Sequence, residues 1–111
     1  MHKNKIAMDA KPKFNVIYSE EVIDFLNSLP AKTKAKIMFN VGKARYNLDP
    51  KLFKKLVGTD IWEFRTLYNG LQYRLLAFWD NNTNTYVINV SSTNSMYASP
   101  MLVLYRKLMR N

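Results

Sequence analysis

Arg65 and Arg74 each sit inside a run of strand-forming, otherwise apolar or aromatic residues, on either side of Asn69-Gly70. A guanidinium in mid-strand is costly unless it meets water, a carboxylate or a ligand. Its planar fork grips two oxygens and never loses charge, so it suits a phosphate. Lys54 and Lys55 stand just upstream, and the four cations predict a cationic face on a small rigid sheet. Such a face suits a phosphate-rich partner. Glu63, two residues before Arg65, must share its face. It is read as an internal partner of Arg65 or Arg74 across the hairpin.

The elements that position these groups follow from local signals. Asn-Gly between two such runs predicts a tight hairpin, with strands over Ile61 to Tyr68 and Leu71 to Trp79. Upstream, Phe14 to Tyr18 reads as a first strand. Ser19 is a good N-cap, and Glu20, Glu21 and Asp24 place negative charge where a helix dipole favours it. Pro30 ends this first helix and opens a second, expected from about Ala31 to Leu48. Thr33, Ile37, Val41, Ala44 and Leu48 form its apolar stripe. Lys32, Lys36 and Lys43 fall on the opposite side and, with Lys51 beyond the helix, are candidate RNA contacts.

Asp49-Pro50 breaks that helix, and Lys51 to Asp60 reads as a loop. Thr85 to Val90 predicts a third strand of the meander, Ser91 to Ser95 a loop, and the stretch after Pro100 a short terminal helix. The order is β-αα-βββ-α, and the chain reads as one domain over residues 1–111 with a loose arm over 1–12. Tyr68, Tyr73, Tyr86, Trp62 and Trp79 are candidates to stack bases, although strand alternation buries one side of each strand.

Composition narrows the function. The chain has 17 Lys and Arg against 8 Asp and Glu, for a net charge of +9. That balance fits nucleic acid or an acidic protein as partner. A hydrophobic fraction of 48% supports a folded core. There is no cysteine, which excludes disulfides and thiolate chemistry, and the single histidine is His2, which excludes a histidine cluster. No metal and no cofactor is expected. No apolar run is long enough to span a membrane, and a polar N-terminus predicts a cytoplasmic protein. No charged residue occurs between Asp80 and Arg106.

The run from Lys55 to Arg65, KLVGTDIWEFR, followed by NGLQYRLLAF over residues 69–78, resembles the phage-derived HigB-like branch of the RelE/ParE toxin superfamily. That branch shows a K-x-L-x-G-x-x-L-W-E-L-R run, then Y-R and an aromatic-rich strand. The resemblance implies an α+β, RelE-like fold, with a small twisted, mainly antiparallel sheet packed against a helical hairpin. It implies the toxin of a type II toxin–antitoxin system, a ribosome-dependent endoribonuclease acting on mRNA and held inactive by a cognate antitoxin. Arg65 and Arg74 match family arginines, Lys54 and Lys55 the basic positions before the hairpin, and Tyr97 can stand in for a C-terminal family residue. Residues 91–111 depart from the family pattern, which carries lysines there.

RNA can be cut without a metal ion, by attack of its own 2′-hydroxyl on the neighbouring phosphorus. The protein must orient the backbone, take the 2′ proton, neutralise the phosphate and protonate the leaving oxygen. Arg65 and Arg74 suit the phosphate task. The base stays open between Lys54 or Lys55, Glu63 and a tyrosine. The alternative reading is a non-catalytic protein: a gyrase-targeting ParE-like toxin, or a degenerate toxin that only binds its antitoxin.

Overall fold

The computed structural model describes residues 11–95. Tyr97, the helix expected after Pro100 and most of the N-terminal arm lie outside the described residues. The elements are β1 (Asn15–Tyr18), α1 (Glu20–Asn27), α2 (Ala31–Tyr46), β2 (Phe53–Lys55), β3 (Ile61–Tyr68), β4 (Leu71–Asp80) and β5 (Thr85–Ser95). They form an α+β fold, with a five-stranded sheet in the order β1-β5-β4-β3-β2 beside two helices. Among the described residues only the β1–β5 pairing is parallel.

Local signals explain the helices. The Ser19 hydroxyl accepts a hydrogen bond from the Val22 N–H at 3.2 Å, closing the first turn of α1. Pro30 stands at the N-cap of α2, where its missing N–H costs nothing. Thr33, Ile37, Asn40, Val41 and Ala44 form the buried side of α2, and Lys32, Lys36 and Lys43 are exposed. The helix stops at Tyr46, two residues before the expected end, so Leu48 leaves the stripe and is 56% exposed.

The hairpin forms at Asn69-Gly70, both with positive φ (52° and 76°), as a primed turn requires. Two segments read as loop are strand instead. Phe53–Lys55 pairs antiparallel with Phe64, Glu63 and Trp62. Three residues are too few to show a period, and the pairing is secured from outside. The Phe53 ring stacks on Trp62 at 4.8 Å, and the Arg65 N–H donates to the Leu52 carbonyl at 2.7 Å.

The polar stretch Ser91–Ser95 continues β5 along Leu71 to Leu75. A register shift opposite Leu76/Ala77 leaves Asn89 as an extra residue, since Ala77 pairs with Ile88 and Leu76 with Val90. This bulge inverts the alternation, turning Val90 and Ser92 to the face that Ile88 avoids.

Both faces of the sheet carry buried apolar residues. Toward the helices lie Phe64, Tyr73, Leu75, Ala77, Tyr86 and Ile88, packed with Val22, Leu26, Ile37, Val41, Ala44, Phe14 and Phe53. On the other face Leu56, Ile61 and Leu76 form a smaller cluster with Phe78 and Val90. Phe64 on one side and Leu76 on the other are therefore core, with Trp62 and Phe78 partly buried against them. Among the described residues no helix is long and apolar enough to cross a membrane.

Candidate functional site

Strand register decides where the expected site residues go. Arg65 and Arg74 are direct cross-strand partners and share one face. Two like charges placed opposite each other repel, and Glu63 resolves the conflict. Its Oε1 lies 3.1 Å from Arg65 Nε and its Oε2 lies 3.2 Å from Arg74 Nε. Lys54 pairs with Glu63 across β2 and β3 and joins the same face. Three cations thus surround one carboxylate, and the face stays net positive.

The members of this cluster differ in access. Glu63 is 1% exposed and Arg74 2%, so the carboxylate is a buried partner rather than an open base. Arg65 keeps 28% of its side-chain surface in solvent. Burial pushes the Glu63 carboxyl above its ordinary pKa, against the opposing pull of Arg74, Arg65 and Lys54. Burial likewise lowers the Arg74 guanidinium, against the pull of Glu63.

The expectation that both arginines grip a phosphate needs correction on geometry. Arg74 is enclosed and committed to Glu63, whereas Arg65 lies at the edge where β2 has ended and reaches a groove. Lys54 and Lys55 also part company. Lys55 points to the opposite face of β2 and lies 3.7 Å from Asp60, in an exposed pair of little energetic weight.

The groove beside Arg65 has a volume of about 490 Å³, within the range of ligand sites. Lys36, Phe39, Asn40 and Lys43 from α2, Asp49, Lys51 and Leu52 from the following loop, and Arg65, Leu67 and Gln72 from the hairpin line it. Three of the four lysines expected to touch RNA therefore line the same groove as Arg65, two from α2 and Lys51 from the following loop. Lys32 lies on the exposed side of α2 but does not line the groove.

Two local interactions build this wall. Asn40 Nδ2 donates to Thr66 Oγ1 at 3.0 Å between two buried side chains, which pins α2 to β3. Asp49 Oδ1 accepts from the Lys51 N–H at 2.9 Å, and the Asp49 carbonyl accepts from Leu52 and Phe53, curling the loop that carries Lys51. Replacing Asn40 with alanine leaves Thr66 without this donor. It should cost about 1–3 kcal/mol in urea unfolding, and Asn40→Ala with Thr66→Val should cost less than the sum of the two.

Phe39, Asp49 and Gln72 were not anticipated. Phe39 carried a signal: it is a large aromatic off the apolar stripe of its helix, between two lysines. Of the aromatics expected to stack bases, Tyr73 and Tyr86 are buried, Trp62 and Tyr68 pack against the core, and Trp79 is partly exposed, its Nε1 donating to Asn81 Oδ1.

This architecture has solved counterparts. The chain is similar to the E. coli toxin RelE in the free state, as a double arginine-to-alanine mutant, with a TM-score of 0.59 at 13% identity, covering 86% of this chain and 97% of that one. The archaeal RelE–RelB complex from Pyrococcus horikoshii gives a TM-score of 0.51 at 15% identity, covering 78% and 99%. At these identities the likeness shows the fold, which is RelE-like. No curated protein matches the chain by sequence. Residues 24–94, more than half of the chain, match the family model described as Phage derived protein Gp49-like, and the chain belongs to that family.

Proposed function

We propose that the protein is the toxin of a type II toxin–antitoxin pair and acts as a ribosome-dependent endoribonuclease on mRNA. One observation carries this reading: Lys36, Lys43, Lys51 and Arg65 converge on one open groove of a RelE-like scaffold. In this reading the lysines draw the RNA backbone in, and the Arg65 fork holds the phosphate on which the 2′-hydroxyl closes. Glu63 and Arg74 act behind it. The buried carboxylate holds Arg65 by ion pairing, and Arg74 is the second cation beside it, opposing the upward push that burial gives the Glu63 carboxyl.

The RelE–RelB complex supports a cognate antitoxin as partner, acidic or laid across the groove. The protein is proposed to work in the cytoplasm, where its mRNA and ribosome partners are. The burial of Arg74 favours a second reading, a toxin-fold protein that binds without cutting, because one reachable guanidinium replaces the two expected. Induced expression followed by primer extension on cellular mRNA separates the two. New 5′ ends within codons are the expected result. Intact mRNA overturns the nuclease, and intact mRNA with double-strand DNA breaks assigns the activity to gyrase.

A further inference from the structure

We propose that Phe39 is a stacking platform that makes the groove selective for single-stranded RNA, with one base turned out of its stack onto the ring. The inference rests on the groove being the RNA site and names the form of RNA it takes.

Phe39 is 63% exposed on α2. An isolated exposed aromatic needs no explanation in itself, but this ring lies on the wall of the cationic groove with Lys36, Lys43, Lys51 and Arg65. The Lys36 ammonium lies over the ring, 5.6 Å from its centroid, in a cation–π contact, so a base stacks on the other face or displaces it, with that cation near its phosphate. An aromatic face beside a backbone-tracking row of cations is what single-strand binders combine. Every base has a π face, so the contact is tolerant of sequence. A base paired in a duplex cannot present that face, so the ring selects for unpaired RNA. The groove is open to solvent and its volume of about 490 Å³ has room for a splayed nucleotide. The aromatics on the hairpin strands are mostly spent on the core, which leaves Phe39 as the ring beside Arg65.

The test compares a short single-stranded RNA with its abasic counterpart of equal length, using fluorescence anisotropy at low ionic strength. The native chain should bind the intact strand about tenfold more tightly than the abasic one. Phe39→Ala should remove that preference and leave abasic binding unchanged, and Phe39→Trp should restore it. Lys43→Glu with Lys51→Glu should weaken both strands. Equal affinity of the native chain for both strands, with loss in the lysine variant, overturns the stacking role and leaves the groove as the RNA site. Equal weakening of both strands by Phe39→Ala makes the ring a structural element and also overturns it. Unchanged binding in the lysine variant removes the groove itself. If Phe39→Ala leaves RNA binding intact but releases a partner protein, the ring serves protein docking and the proposal fails.

Discussion

Arg65→Ala should lower mRNA cleavage on programmed ribosomes by about a hundredfold, the loss typical when one preorganised charge donor is removed from a transition state. The fold should survive, because Arg65 is the partly exposed member of its cluster and Glu63 keeps Arg74 at 3.2 Å. The unfolding midpoint should therefore move little. Arg65→Lys should recover only part of the rate, since an ammonium keeps the charge but cannot bridge two phosphate oxygens. Single-turnover cleavage beside a circular dichroism melt reads both quantities. Native rates in the alanine variant would remove Arg65 from the chemistry.

Arg74→Leu should behave in the opposite way, as a stability variant with a pH signature. It leaves Glu63 buried with one close cation fewer, a change of the class that costs about 3–5 kcal/mol near neutral pH. Burial already holds the Glu63 carboxyl above its ordinary value, and Arg74 is the strongest influence pulling it down. Without Arg74 the folded pKa rises further. A carboxyl that titrates higher in the folded than in the unfolded chain binds an extra proton on folding between the two values. Its contribution is fully present below the unfolded pKa and is lost as pH rises through the folded one. The deficit of Arg74→Leu should thus be larger at pH 7 than at pH 5, by urea unfolding. Adding Glu63→Leu should recover most of it, because an apolar pair can replace a buried ion pair at little cost. A deficit equal at both pH values would show that lost packing, not the stranded carboxylate, is the cause.

The parts of this molecule set by neighbours in sequence were legible in the chain. Asn69-Gly70 forces a primed turn, Ser19 caps a helix and the spacing of Ile37, Val41 and Ala44 marks a buried stripe. The resemblance added the fold, which the solved RelE structures support. What escaped depends on residues far apart. Strand β2 exists because β3 offers Phe53 a ladder and two aromatic rings. The polar end of β5 reads as loop because serine, threonine and asparagine lack a strand signature, and it becomes strand because β4 has backbone groups left to pair.

The site was legible in residue type more than in role. The hairpin placed Arg65 and Arg74 on a common face, but which of them meets solvent depends on how that face is covered, and no local pattern encodes that. The lysines Lys36, Lys43 and Lys51 share a groove with Arg65 because α2 packs on β3, pinned there by Asn40 and Thr66.

The bulge at Asn89 accounts for part of the long uncharged tract. By reversing which residues face which layer, it sets Ser92 directly beside Arg74, with Val90 next to it along the strand. On this strand Ile88 faces the helical core and Val90 the smaller apolar cluster, whereas Ser92 adjoins the Arg74 guanidinium beside Glu63. A lysine at 92 would press a further positive charge against Arg74, and an aspartate there would compete with Glu63 for its partner. A neutral side chain at 92 adds no charge beside Arg74, so part of the uncharged stretch lies against the cluster of Glu63, Arg65 and Arg74.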